Sequence, residues 1–243
     1  MTVTASPVWA ILPIKSLDGA KQRLRNILSP NERKELMLNS ARDVLTALTR
    51  SSRLSGILLV SKDKNAVALG NEFGVRILKV GSDNGQSEAI DQASTFLRGD
   101  GVTSTLTIPG DAPLLLAEDV DIVCDTLKKG PAITIVSNVD GTGSNCIGAS
   151  PSNSIPYQFG TNSFTKHVAS AYELGIEPKI LSLPRLELDI DTVSDVSRLM
   201  KLASRTRTQK FIAKSGIVER YFATTPKPLP GNNLITGNEV MSR

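Results

Sequence analysis

Apolar runs alternate with helix-like stretches along almost the whole chain. Val8 to Ile14 is a continuous apolar segment and predicts a buried first strand. Ser29-Pro30-Asn31-Glu32 reads as a capping box with proline at the first helical position, so a helix begins there. Met37, Ala41, Val44, Leu45 and Leu48 then recur at helical spacing and mark its inner face. The same reading predicts strands over Gly56–Val60, Val75–Val80, Ser104–Ile108, Ala132–Val136 and Lys179–Leu183. Helices are predicted over Asp63–Glu72, Ser87–Leu97, Glu118–Leu127, Phe164–Leu174 and Ser194–Ala203.

Such alternation implies an α/β protein whose mostly parallel, mixed sheet is covered by helices on both faces, giving three layers. No linker interrupts the pattern, and residues 1–204 read as one domain. Asn138 to Pro156, rich in Gly, Ser and Asn, reads as a functional loop. Residues 205–243 read as a basic, proline-containing tail or arm, with Pro226, Pro228, Pro230 and Gly231 near its end.

Composition narrows the function classes. At 243 residues the chain is long enough for a large core, and no apolar run approaches the roughly 20 residues of a membrane helix. Val8–Ile14 is too short for a leader's apolar region and contains Pro13. Two cysteines, Cys124 and Cys146, cannot build a disulfide framework, so reduced thiols in the cytoplasm are expected. The net charge of +4 is a property of the end of the chain. From Met200 onward there are eight basic and two acidic residues, which leaves 20 basic against 22 acidic elsewhere. Aromatics make up 4% and are not interleaved with the basic residues, so no nucleic-acid partner is expected.

The chemistry concentrates at strand ends. Gly110-Asp111-Ala112-Pro113-Leu114-Leu115 follows the predicted strand Ser104–Ile108 and puts a carboxylate at the mouth of the sheet. Lys15, Lys21 and Arg23 follow the first strand within nine residues and suit phosphate oxygens, although such cations are also common in solvated loops. Neither a P-loop nor Gly-x-Gly-x-x-Gly is present. In Leu188-Asp189-Ile190-Asp191-Thr192, alternate residues point the same way, so Asp189 and Asp191 project together. Two like charges that close call for a cation, and an oxygen-only set favours Mg²⁺. The structural alternative is that Asp191 or Ser194 merely caps the following helix, which leaves Asp189 unexplained.

Asp140-Gly141-Thr142-Gly143-Ser144-Asn145 has the composition of an anion nest, and Gly160-Thr161-Asn162-Ser163 precedes a helix N-terminus. Together they predict a second anion site. His167, the only histidine, reads as structural or exposed, and Cys146 and Trp9 as packing.

Taken in order, several motifs resemble the guanylyltransferases of coenzyme F420 biosynthesis. They are Pro13-Ile14-Lys15, Lys21-x-Arg23-Leu24, Gly110-Asp111-x-Pro113-Leu114-Leu115, Gly141-Thr142-Gly143, Phe159-Gly160-x-x-Ser163-Phe164-x-x-His167 and Leu188-Asp189-Ile190-Asp191-Thr192. The resemblance spans about residues 8 to 200 and implies the nucleotide-diphospho-sugar transferase fold, which is Rossmann-like. It implies transfer of GMP from GTP to 2-phospho-L-lactate, phosphoenolpyruvate or 3-phospho-D-glycerate, with Mg²⁺. By position, Lys21, Arg23 and Asp111 would be catalytic. Pro13, Lys15, Lys21, Arg23, Gly85, Ser87 and Gly110 would bind the nucleotide, Asp111, Asp189 and Asp191 the metal. Thr142, Gly143, Ser144, Gly160 and Ser163 would bind the acceptor. Gln86 and Ser87 depart from the family's usual Gly-Leu-Asn, and Ala112 replaces a commoner Leu. A homodimer is likewise implied. The alternatives are a nucleotidyltransferase of this fold acting on a sugar phosphate or a molybdopterin, or a binding module that uses the basic tail.

Overall fold

The computed structural model describes residues 7–80, 85–127, 130–217, 219 and 220. Strand β1 (Val8–Pro13) lies between β2 (Leu54–Val60) and β4 (Ser104–Thr107), parallel to both. Beyond β2 lies β3 (Arg76–Leu78); beyond β4 come β6 (Ser144–Ser150), β5 (Ala132–Ser137) and β7 (Lys179–Leu181). The order β3-β2-β1-β4-β6-β5-β7 reverses direction at β1. Connections therefore leave β1 and β4 toward opposite sides, and the crevice at their C-terminal ends is where α/β sheets bind ligands.

Helices α1 (Pro30–Arg50), α2 (Lys64–Glu72) and α4 (Ala117–Thr126) cover one face, α3 (Gln86–Gly99) and α5 (Ser163–Glu173) the other. Alternation in β1 explains the two layers: Ala10 and Leu12 join the first cluster, Ile11 the second. The Ser29–Glu32 capping box forms as predicted. A third apolar cluster joins Leu24, Ile27, Leu114, Leu188 and Ile190 to α7 (Val193–Lys201) and α8 (Arg207–Lys214). It lies beneath the segments that carry the candidate residues and ties them together.

Three elements differ from the sequence reading. Part of the expected loop 138–156 is β6, antiparallel to both β4 and β5. Its small residues carry no alternation, and Gly148 is there because a Cβ would stand 3.2 Å from Leu127. A four-residue helix, α6 (Pro184–Glu187), precedes the second acidic motif. Residues read as tail form α8, capped by Thr206 and Gln209, with Thr208 and Ile212 buried and Asp43 of α1 accepting from its first N–H groups. The proline-rich stretch at 226–231 lies outside the described residues. No helix of the described residues is long and apolar enough to cross a membrane.

Trp9 is half-buried and lies across Gly56, its partner in register, whose added Cβ would meet the indole at 2.6 Å. Gly56→Val is therefore expected to destabilise the fold by about 1–3 kcal/mol. Urea titration followed by the fluorescence of this single tryptophan measures it, and Trp9→Leu in the Gly56→Val background should restore part of the loss by circular dichroism.

Candidate active site

The segment after β1 is shaped by backbone contacts before any ligand is considered. Leu17 donates its N–H to Asp63 at the cap of α2 (2.9 Å). Arg33, buried in the first turn of α1, donates to the carbonyls of Ala20 (3.1 Å) and Leu28 (2.9 Å). Between these anchors Lys21 sits in the left-handed region (φ 53°, ψ 43°), which is uncommon outside glycine. That turn points its side chain inward, where it is 5% exposed.

Asp111 leaves β4 through Gly110, where an added Cβ would stand 2.9 Å from Met37. Its carbonyl accepts the N–H of Ile190 at 3.0 Å, which clips the two acidic segments side by side. Thr192, with Asp195, caps α7, so neither Asp191 nor Ser194 has that task. The Asp191 side chain turns instead to Lys21.

Asp111, Asp189 and Asp191 offer oxygens that all lie within 4.8 Å of one another. The Lys21 ammonium donates to Asp111 and to Asp191 (2.8 Å). Burial works against that charge, but the two carboxylates outweigh it and push the lysine pKa up. Asp191 feels the same balance: burial raises its pKa, and Lys21, Arg23 and Lys15 bring it below the usual value. Among the described residues Asp189 has no such hydrogen-bonded cation and takes the Asn145 amide, at 3.2 Å. Burial, then the charges of Asp111 and Asp191, push it up to about 6. Three carboxylates against one buried ammonium leave two negative charges on hard oxygen donors. That excess and the unmatched Asp189 fit a Mg²⁺ ion held by Asp111, Asp189 and Asp191.

A cleft of about 630 Å³ opens over this cluster. It brings together Pro13, Lys15, Lys21, Gly110, Asp111, Asp189 and Asp191 with Gly143, Ser144, Gly160 and Ser163. Four expected residues do not line it: Arg23, Gly85, Ser87 and Thr142. Arg23 is 74% exposed at the rim, 3.9 Å from Asp191. Ser87 accepts the N–H of Phe159 at 2.9 Å and so braces the cleft wall. Thr142 is exposed on the hairpin turn.

The anticipated anion nest is already satisfied within the chain. Gly141 donates to the Asn138 carbonyl, and Thr142 and Gly143 donate to its side chain at 3.0 and 2.9 Å. Ser144 donates its N–H to the Ser163 hydroxyl, while the N–H groups of Ser163 and Phe164 go to Gly160 and Thr142. What the 141–144 turn adds to this corner is side-chain hydroxyl rather than free backbone. Sequence reading passed over Asn138, Lys62 and Asp63 as site residues, and these line the cleft together with Asn145 of the expected nest and Gln86. For Asn138 the signal was available, since an Asn before a Gly-rich turn commonly bonds the backbone ahead of it.

His167 is fully buried, and burial, then the charge of Lys166, lowers its pKa to about 4. The unfolded chain, titrating near 6.5, binds this proton more tightly. Stability from this group is therefore complete above pH 6.5 and falls with the pH toward 4, by about 3 kcal/mol. Denaturant titrations across pH 4–7 should show that slope in the native protein and its absence in His167→Phe.

A family profile described as "Guanylyl transferase CofC like" matches residues 8–227. A phosphoenolpyruvate guanylyltransferase of Roseiflexus castenholzii is 33% identical over 84% of this chain and 92% of that protein. A 2-phospho-L-lactate guanylyltransferase of Methanothermobacter thermautotrophicus is 28% identical over 84% and 90%. Among solved structures, a Desulfovibrio desulfuricans G20 protein ascribed to the nucleotide-diphospho-sugar transferases superposes with a TM-score of 0.69 at 18% identity, covering 89% of this chain and 98% of that one. A Methanothermobacter nucleotidyl transferase does so at 0.58 and 15%, covering 86% and 99%. At such identities these two structures establish the fold alone.

Proposed function

The chain belongs to the CofC-like guanylyl transferase family, and we propose that it transfers GMP from GTP to a small phosphorylated three-carbon acid, releasing pyrophosphate. The observation that carries this reading is the acidic triad around Lys21, set in the crevice at the C-terminal ends of β1 and β4 and facing two serine hydroxyls. Phosphoenolpyruvate is the first candidate acceptor, as in the names of several relatives, followed by 2-phospho-L-lactate and 3-phospho-D-glycerate. The product would serve coenzyme F420 biosynthesis in the cytoplasm. A homodimer, tested by equilibrium sedimentation, belongs to the same proposal.

The acceptor's phosphate oxygen attacks the α-phosphorus of GTP in line. The new P–O bond forms as the bond to the bridging oxygen breaks, and pyrophosphate leaves with the electron pair. A phosphate monoester has its second pKa near 6 and is mostly dianionic at neutral pH, so the chain need supply no base. Asp111, Asp189 and Asp191 would hold Mg²⁺, which would supply positive charge to the phosphate oxygens. Lys21 keeps the triad in register and adds a fixed cation, Lys15 reaches the phosphates from the cleft wall, and Arg23 approaches from the rim. Positioning contributes the rest.

Pyrophosphate release is the direct test, with GTP and Mg²⁺ against the three acids in parallel and ATP and CTP as controls. Turnover with GTP and one acid is expected. Silence with all three acids, or a preference for CTP, overturns the proposal.

A further inference from the structure

The chain's single histidine lies behind the acceptor corner, and its ring has two well-defined neighbours. Gln158 directs its backbone N–H at Nε2 at 2.8 Å. A backbone N–H can only donate, so Nε2 carries the lone pair and the neutral ring holds its proton on Nδ1. Nδ1 lies 2.9 Å from the hydroxyl of Ser144 and must donate to it. The ring is clamped in this orientation: Phe159 packs edge-on against it at 5.1 Å and stacks on Tyr157 in turn.

The consequence falls on Ser144. Its oxygen is engaged as an acceptor, so its hydrogen turns away from the ring, and Ser144 borders the cleft. Ser163 is in the same state, because its oxygen accepts the Ser144 N–H at 2.9 Å. Two hydroxyls of the cleft lining thus each have one lone pair engaged within the chain, which turns the hydrogen away from that bond and leaves it available to a ligand.

Building on the acceptor reading above, we propose that His167 is a positioning residue that orients the Ser144 hydroxyl to donate its hydrogen, so that Ser144 and Ser163 together select an ionised oxygen of the acceptor acid. A carboxylate or phosphate oxygen accepts both hydrogens. A neutral hydroxyl brings a hydrogen of its own to face the two donors, and an amide oxygen accepts them more weakly than a charged one does. His167 does not touch the ligand; it acts through Ser144.

The test uses the full chain and two readouts. Because there is one histidine, a ¹⁵N-resolved ring spectrum reports its tautomer without ambiguity. The Nδ1–H form is expected between pH 6 and 8, and an Nε2–H form overturns the proposal. In turnover, His167→Phe should raise the KM of the acid about tenfold while the KM of GTP and kcat change less than twofold. His167→Asn, which keeps a donor near the Nδ1 position, should recover most of that loss. In a Ser144→Ala background, His167→Phe should add less than twofold. Equal losses for acid and GTP, or full additivity with Ser144→Ala, would make His167 merely structural and overturn the proposal. A wild-type protein that turns over none of the three acids removes the functional reading instead. The His167 proposal is then decided by the ring signals. It stands if phosphoenolpyruvate or another of the acids moves them in the wild type but not in Ser144→Ala, and falls if none does.

Discussion

Asp111→Asn is expected to slow pyrophosphate release at least a hundredfold while the protein stays folded. The substitution keeps the shape of the side chain and the main-chain carbonyl that accepts from Ile190, so the clip between the two acidic segments survives. Lys21 keeps Asp191 as a partner at 2.8 Å, and Asp189 loses a neighbouring like charge. The stability change should therefore stay near 1 kcal/mol, well below the cost of stranding a buried charge. What disappears is a hard anionic ligand and part of the charge on which the transferred phosphate depends. A hundredfold corresponds to about 2.7 kcal/mol of transition-state stabilisation. Turnover and urea midpoint should be measured on the same preparation. Asp189→Asn is the companion variant, because among the described residues Asp189 is hydrogen-bonded by the Asn145 side chain and by no cation. Near-normal turnover in both variants would remove the triad from catalysis.

Lys21→Met should cost both activity and stability. The ammonium is 5% exposed and lies against two carboxylates, with a third close by. Methionine fills much of the same volume but leaves three negative groups facing one another. Breaking a buried pair from one side typically costs about 3–5 kcal/mol, and a loss near the lower end is expected because Asp191 is partly open to water. Turnover should fall at least a hundredfold. The double variant Lys21→Met with Asp191→Asn separates the two effects, since it removes one charge of each sign. Stability should return in large part and turnover should not. If the double variant is no more stable than Lys21→Met, like-charge repulsion is not what Lys21 relieves.

Much of the scaffold was legible because its strands are apolar runs and its long helices carry one greasy face. Val8–Pro13 is such a run; Ser104–Thr107 is buried throughout although three of its four residues carry hydroxyls, and the carboxylate just past it lies where the pattern put it. The pairing of Asp189 with Asp191 follows from extended-chain alternation alone, and the oxygens do converge. The partner of those acids was not legible. Lys21 reaches them because one left-handed residue between two short 3-10 turns directs it inward, and no periodicity encodes that. Strand β6 was hidden by its composition: Ser144-Asn145-Cys146-Ile147-Gly148 reads as loop until the sheet buries both of its faces. Helix α8 carries a readable signal, Thr206 with Gln209 three residues on, which was lost inside a stretch judged by its charge. The hydrogen bonds that close the 141–144 turn on itself come from Asn138 and Ser163 and depend on three-dimensional proximity that composition does not report.

The clip between Asp111 and Ile190 also dates the birth of the site. Asp191 follows Lys21 by 170 residues. At the usual pace of synthesis, about 5–20 residues per second, the cation waits roughly 10–30 s for the last two acids, and the carboxylate of Asp111 about half as long. During that interval the growing chain holds neither the excess charge that attracts a divalent ion nor the clip that gathers it. Capture of the proposed metal would therefore belong to the finished fold and could not act as a seed for it. An ion that binds only the completed state would raise stability by mass action on a protein that has already assembled itself.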